Sequence, residues 1–388
     1  MKILHTSDWH LGKKLNNHPR LGEQAEIMQE ICTLADEQGV DLVLIAGDVF
    51  DTFVPPSEAE ELFFNTMNKL ASPKRAVVVI SGNHDDSVRL SASRTLASKS
   101  NVYIFGGDSI PPYCKEDFKV CAEQTGKYHC VIKKGEERLY VGALPYPTEH
   151  RYGESKSELT FDQKMKGWID ACFEQNVNNY PQILVGHLFM LGGNPSSSER
   201  QIELGGTRLV NKNLIPQNCI YSAFGHLHKR QIIDLERNIL YSGSILQYDF
   251  DEVNIEKSVT LFEVSNGKVE NLVIHKLKGG KRLTKITAFD FDGAKELLQA
   301  NADHHVFLTL KLKEVLGEVQ SRELVSSFPQ LVDYRIEPPA NKESENRVDR
   351  RTLSEEQAFI EYYKQGHGGE QPDQELVTLY LEFMEGAK

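Results

Sequence analysis

A chain of 388 residues with a net charge of −12 is long enough for roughly two or three domains, and it carries too much negative charge to be coated in basic surface. Its 40 % hydrophobic and 26 % charged content is that of a water-exposed globular fold, and no run approaches the roughly 20 apolar residues of a membrane span. Strong affinity for nucleic acid would have to come from a local basic track, bound metals, a second copy or a partner. The six cysteines (Cys32, Cys114, Cys121, Cys130, Cys172, Cys219) show no C-x-x-C spacing, so buried thiols are expected rather than disulfides or zinc ligands. The N-terminus reads as a strand rather than a signal peptide, and the expectation is a cytoplasmic chain.

Lys2 to His5 predicts the first strand, and Asp8 and His10 follow at alternate positions, which in extended backbone points both side chains the same way. Gly22 to Gln38 has apolar residues at helical spacing (Ala25, Ile27, Met28, Ile31, Leu34, Ala35) and stops at Gly39. Leu42 to Ala46 reads as a buried strand completing a βαβ unit, and Gly47 turns the backbone so that Asp48 projects. Asp51 either orients a neighbour or caps the next segment. Pro55-Pro56-Ser57 starts a helix over 58–70 with Ser57 as its N-cap. Ala76 to Ile80 is the next strand and leads into Gly82-Asn83-His84-Asp85. Arg89 and Arg94 lie on the helical stretch beyond it, touching phosphate or forming a solvated face.

Val102 to Phe105 continues the sheet, 106–127 reads as irregular, and Tyr128–Ile132 with Leu139–Leu144 form a hairpin. A polar loop to about Ser157 precedes a helix over 161–174 and the strand Ile183–Val185, which ends in Gly186-His187. Residues 192–200 read as a flexible loop that closes over substrate or is merely disordered. Tyr221–Phe224 ends in Gly225-His226-Leu227-His228, and Val259–Val264 pairs with Lys268–Ile274 across the Asn266-Gly267 turn.

At Lys276 the composition changes. Lys276, Lys278, Lys281, Arg282 and Lys285 surround Gly279-Gly280, a domain boundary that contacts a DNA backbone or is a solvated linker. A strand-helix-strand-helix-strand module follows over 283–336, then a charged, Pro-containing linker. Two amphipathic segments, 353–363 and 374–384, carry Phe359, Ile360, Tyr362, Tyr363, Leu376, Leu379, Tyr380, Leu381, Phe383 and Met384. Short helices cannot hide that much apolar surface alone, so they fold back on the body or dock on another protein.

Five apolar runs therefore end in Asp8/His10, Asp48, Asn83/His84, His187 and His226/His228, as when a parallel sheet delivers polar side chains to one rim. Carboxylates, an amide oxygen and imidazoles together suit manganese, iron or zinc. Asp8, His10, Asp48, Asn83, His187, His226 and His228 are too many ligands for one ion that keeps room for substrate. Two ions about 3.5–4 Å apart, sharing Asp48, are the usual device for in-line displacement at phosphorus.

These motifs, in this order and with the opening Lys2-Ile-Leu-His-Thr-Ser-Asp8-Trp9-His10-Leu-Gly12, resemble the calcineurin-like metallophosphoesterases. The resemblance implies an α/β fold: a β-sandwich flanked by helices (1–275), a small α/β capping domain (276–337), a linker (338–352) and C-terminal docking helices (353–388). It allocates Asp8, His10, Asp48 and His228 to one metal and Asp48, Asn83, His187 and His226 to the other, a split that spacing alone leaves open. His84 falls to the phosphate, as its counterpart does in the family. Further implied are manganese, double-strand exonuclease and single-strand or hairpin endonuclease activity in break and palindrome processing, and a nucleoid location. A coiled-coil ATPase is implied as partner of a homodimer within a heterotetramer; this chain has no P-loop of its own. Lys276, Lys278, Lys281 and Arg282 are the candidate DNA contacts. The family element around Ser242 often has Pro at that place. The rival reading, a phosphodiesterase or phosphatase of a small molecule or phosphoprotein, uses the same metal core but leaves the module, basic hinge and terminal helices without a purpose.

Overall fold

Uncharged runs such as Leu42-Val-Leu-Ile-Ala46 and Ala76-Val-Val-Val-Ile80 form interior strands because both of their faces must be covered. The computed structural model describes residues 1–147, 159–196, 199, 209–312, 316–337, 355–366, 371–374 and 376–380. Most of the expected loop to Ser157, part of the 192–200 loop, the 338–352 linker and parts of both terminal helices lie outside the described residues.

The strands of the first half are β1 (Lys2–Thr6), β2 (Lys14–Leu15), β3 (His18–Pro19), β4 (Leu42–Ala46), β5 (Ala76–Ile80), β6 (Val102–Phe105), β7 (Val120–Thr125), β8 (His129–Lys134) and β9 (Glu137–Leu144). Those of the second half are β10 (Gln182–His187), β11 (Cys219–Gly225), β12 (Gln231–Asp234), β13 (Ile239–Tyr241), β14 (Ser258–Ser265), β15 (Lys268–Lys276), β16 (Leu283–Ala288), β17 (His305–Lys311) and β18 (Leu331–Glu337). One sheet has the order β15-β14-β1-β4-β5-β6, and its β1, β4, β5 and β6 are parallel. The other has the order β12-β13-β11-β10-β9-β8-β7, with β9, β10, β11 and β13 parallel.

The two-residue period of a strand divides the side chains between layers. Leu42, Leu44, Val78 and Ile80 point to the second sheet and pack among Val141, Ile183, Val185 and Ala223. Val43, Ile45, Val77 and Val79 point the other way, onto Ile27 and Ile31 of α1 (Leu21–Glu37) and Phe63 and Met67 of α2 (Ser57–Leu70). Two short helices, α3 (Ser87–Ser91) and α4 (Arg94–Ser98), follow β5. Beyond the second sheet, α5 (Phe161–Ala171) lays Met165, Trp168 and Ile169 on Leu184, Phe224 and Tyr241. The architecture is thus helix, sheet, sheet, helix, the helix-flanked sandwich that the resemblance implies. Each of these fully buried aliphatic side chains contributes about 1.5–3 kcal/mol over an exposed one.

Three expectations are corrected. The segment 106–127 is not irregular throughout: β7 pairs antiparallel with β8, its Val120, Cys121 and Ala122 buried and Glu123 and Gln124 exposed, so half its length reads as loop. Ser57 is the first helical residue of α2 rather than its N-cap; Pro56, with φ −58° and ψ 147°, occupies that place without a side-chain cap. Cys114 and Cys121 form a disulfide, because β7 brings Cys121 back to within a Cα separation of 5.5 Å of Cys114; the other four cysteines are buried thiols.

The chain divides into two compact units, Met1–Leu310 with Gly317–Arg335, and Lys311–Leu316 with Ile336–Lys388. In the first, the β16-β17-β18 sheet carries α6 (Phe291–Ala300) and α7 (Glu318–Ser327) in the predicted order, with Leu283, Leu298, Val306, Leu308 and Leu324 buried. In the second, α8 spans Glu355–Gly366 and Phe359 stacks on Tyr380, ring centroids 4.1 Å apart. Among the described residues no helix is long and apolar enough to cross a membrane.

Candidate metal centre

The carboxyl ends of β1, β4, β5, β10 and β11 open at one rim, and the loops that leave them are tied to one another by backbone. Asp8 N–H donates to Gly47 O (3.1 Å), His10 N–H to Asp48 O (2.9 Å) and Leu11 N–H to Val49 O (2.9 Å). Asp8, His10 and Asp48 have φ of 52°, 45° and 49°, and His226 has 109°. The two-residue spacing of Asp8 and His10 therefore does not work by strand alternation: both sit in left-handed backbone just past β1. Asp tolerates that region through its short polar side chain, whereas His226 lies outside it, and such conformations cost about 1–3 kcal/mol each.

The predicted donors meet. Donor atoms of Asp8, His10 and His228 lie within 4.8 Å of one another, as do those of Asp8, Asp48 and His187 and those of His10, Asp48 and His84. His10 Nε2 faces His228 Nε2 at 2.9 Å. Asp48 Oδ2 lies 3.5 Å from His10 Nε2 and 3.4 Å from His187 Nε2, midway in the cluster. Asn83 Oδ1 is 2.8 Å from His187 Nε2 and 3.0 Å from His226 Nδ1. Two imidazole lone pairs directed at each other across 2.9 Å repel unless a proton or a cation lies between them. This set of oxygens and nitrogens fits a divalent cation of the manganese, iron or zinc kind.

Close packing of three glycines sets the site. A Cβ at Gly82 would fall 2.1 Å from Asp48 Oδ1, one at Gly47 (φ +86°) 2.4 Å from His187 Nδ1, and one at Gly225 2.1 Å from Ala46 O. Larger residues at these positions would displace the donors.

Burial penalises every charge here, and the neighbours decide the outcome. Burial alone would raise Asp48, but His187, His84 and His10 hold its carboxyl well below the usual range. Burial raises Asp8, with His187 and His228 opposing. Burial drives His10 well below its ordinary value despite Asp51. For His187 burial would lower the value, yet Asp48 and Asp8 outweigh it and hold the imidazole up to about 9.

His84 donates its backbone N–H to Asp48 Oδ1 (2.9 Å), and its Nδ1 meets the carbonyl of Asp51 at 2.8 Å. Of the two roles open for Asp51 from sequence, orientation is the one seen: its carboxylate takes Lys13 Nζ at 2.8 Å and lies 3.4 Å from His10 Nδ1 and 3.7 Å from His84 Nδ1. Arg89 pairs with Glu60 at 2.9 Å and Arg94 with Asp108 at 3.4 Å, so both lie on a solvated face. Ser242 accepts the Pro-like position by joining a hydroxyl chain: its Oγ is 2.7 Å from Ser7 Oγ, which donates to Asp8 Oδ2.

Sequence reasoning missed the groups behind the donors. The buried Asp85 carboxylate accepts the N–H groups of Val49 (3.1 Å), Phe50 (2.9 Å) and Gly82 (2.8 Å), clasping the loops after β4 and β5. Burial and Asp48 push its carboxyl up to about 7, against the backbone donors that lower it. Glu252 and Lys257, both buried, flank His228, and Glu199 of the 192–200 loop accepts the His228 N–H at 2.8 Å. Tyr146 and Phe189 flank His226, ring centroids 6.3 and 5.8 Å away. None of these stands in a motif, and only the Asp beside His84 offers any signal.

The basic hinge lies along α1. Glu30 accepts the N–H groups of Lys278 (3.0 Å) and Gly279 (2.9 Å), Glu26 that of Gly280 (3.3 Å) and Glu23 that of Lys281 (2.7 Å). Glu23 also takes Arg20 and, at 2.7 Å, His305 Nε2 of the three-stranded module. Lys276 pairs with Glu256. Lys276, Lys278, Lys281 and Arg282 line a cavity of about 520 Å³ together with Gln247 and Lys257.

Residues 1–230 match the family model described as calcineurin-like phosphoesterase. The chain is 34 % identical to a protein of Bacillus subtilis (strain 168) named as the D component of the nuclease SbcCD, over 100 % of this chain and 99 % of that one. It is 30 % identical to a protein of the same name from Staphylococcus epidermidis, over 79 % of this chain and 78 % of that one. Among solved structures, a dimetal phosphatase from Danio rerio aligns with a TM-score of 0.42 at 10 % identity, over 71 % of this chain and 96 % of that one.

Proposed function

The chain belongs to the calcineurin-like phosphoesterase family and, within it, to the SbcD nucleases, and from this premise we propose a two-metal DNA nuclease that works with an SbcC-type coiled-coil ATPase. The observation that carries the reading is the meeting of Asp8, His10, Asp48, Asn83, His187 and His228 donors at one rim in a chain that matches such a nuclease along its whole length.

Asp8, His10, Asp48 and His228 would hold one divalent cation, and Asp48, Asn83, His187 and His226 would hold the other; manganese is the expected species. The 2.9 Å approach of His10 to His228 supports the first set, and the convergence of His187 and His226 on Asn83 Oδ1 supports the second. Bound there, the pair supplies Lewis-acid stabilisation of charge at phosphorus and lowers the pKa of the attacking water. The chain's own groups do the rest. His84, its Nδ1 on the Asp51 carbonyl, turns its other nitrogen to the phosphate and hydrogen-bonds or protonates an oxygen there. Asp51 and Lys13 hold His10 and His84 in register, while Tyr146 and Phe189 shield the His226 side from water.

Residues 1–275 are the nuclease domain, 276–337 the cap that shapes the DNA path, 338–352 a linker and 353–388 the ATPase-docking helices. Lys276, Lys278, Lys281 and Arg282 lie where the cap meets the body and contact the DNA backbone. Substrates are duplex ends and single-stranded or hairpin DNA arising at breaks and palindromes. The working form is a homodimer within a heterotetramer, cytoplasmic and nucleoid-associated. A cleavage assay on blunt linear and hairpin duplexes, with manganese against magnesium and with and without the ATPase, tests this. Turnover of a small chromogenic phosphodiester with none of DNA would overturn it.

A further inference from the structure

His228 is gripped on three of its polar groups by charged side chains. Its N–H donates to Glu199 Oε1 (2.8 Å), its carbonyl accepts from Lys257 Nζ (2.9 Å), and its Nδ1 lies 3.4 Å from Glu252 Oε1. Glu252 is 0 % exposed and Lys257 7 %, and the two form a buried ion pair. Lys257 directs its third hydrogen to Ser244 Oγ (2.7 Å), at the end of the loop that follows β13.

We propose that the Glu252–Lys257 pair, with Glu199, is the positioning unit that presents the His228 imidazole to the metal centre; the inference rests on the reading of His228 as a cation ligand. A buried ion pair is a poor way to gain stability, since its desolvation cost offsets the attraction and apolar side chains of the same volume serve as well or better. This pair instead turns its remaining bonds on one residue. A carboxylate beside Nδ1 favours the tautomer with the proton there and leaves Nε2, the atom facing His10, free to donate its lone pair. Lys257 on the carbonyl and Glu199 on the N–H fix the backbone from which the ring projects. His187 shows the contrast, for its Nδ1 is held at 2.8 Å by the backbone carbonyl of Ala46 with no side-chain charge.

The test titrates Mn2+ alone into the metal-free full-length chain by calorimetry, with thermal unfolding of the same metal-free samples. In the double variant Glu252→Leu/Lys257→Met the melting temperature is held or raised, and Mn2+ affinity at one of two sites falls about 10- to 100-fold. A purely structural pair predicts unchanged Mn2+ affinity once the variant folds, and that result overturns the proposal. If the double variant does not fold, Glu252→Gln decides: a loss of about tenfold supports the proposal and wild-type affinity overturns it. His228→Ala separates this inference from its premise. Loss of a site there without loss in the Glu252 variants overturns the positioning role alone, whereas wild-type binding by His228→Ala overturns the ligand reading and the positioning role together.

Discussion

The metal centre and the hinge along α1 are built from the same residue types to opposite ends. At the hinge every carboxylate finds a donor: Glu23, Glu26 and Glu30 take four backbone N–H groups, and Glu23 takes Arg20 and His305 besides. At the centre His10 Nε2 faces His228 Nε2, and two more imidazole nitrogens converge on Asn83 Oδ1. Matched charges serve as structure. Unmatched ones, held in place by glycines, left-handed backbone and a second layer of clasps, suit a ligand set. Changes at the centre should therefore cost activity with modest loss of stability, and changes at the hinge the reverse.

The sharpest break would come at Asp48, the carboxylate proposed to be shared. Asp48→Asn should lower cleavage of linear duplex about 1000-fold or more, measured as turnover at saturating Mn2+. His84→Leu should lower it about 10²- to 10⁴-fold while calorimetric Mn2+ binding is kept; full activity would remove the role assigned to His84. Gly82→Ala, whose Cβ would meet Asp48 Oδ1 at 2.1 Å, should cost roughly 1–3 kcal/mol in thermal unfolding and weaken metal binding with it.

At the hinge the sign of a pH effect can be fixed. Burial would raise Glu23, but His305 and Arg20 hold its carboxyl down from 4.5 to about 2. A depressed carboxyl contributes stability that is present above 4.5 and lost as pH falls through about 2. Glu23→Gln should thus be less stable by about 1–2 kcal/mol near neutrality after allowance for solvent screening, and the difference from wild type should close in acid. Cleavage rate at neutral pH should stay near wild type. The smallest effect is expected for Lys278→Ala and Arg282→Ala, each lowering the salt slope of DNA binding by about one with the chemical step untouched. An unchanged slope would make the hinge a solvated connection.

The residues that converge at the rim were legible because chemistry limits what can sit at a buried strand end. Asp48, Asn83 and His187 each follow an apolar run that has no other reason to end in a polar side chain. What holds them was not legible, because Glu252, Lys257 and Glu199 reach His228 across the fold from stretches with no periodicity or motif of their own. Asp85 stands next to His84 in the sequence, and the backbone of two loops takes its carboxylate. Most single strands and helices were readable from two-residue and helical periods and their layering from the resemblance, whereas β7 was not readable, since its Glu123 and Gln124 face water.

The Asp85 clasp has a consequence for how the molecule comes undone. Its carboxylate collects amide hydrogens from two separate crossings of the sheet, so neither crossing can peel away without abandoning an anion in an apolar interior. Loosening at this rim is therefore all or nothing. Amides of Val49, Phe50 and Gly82 should exchange with deuterium together, at the rate of global opening, while those at the sheet margins exchange far sooner.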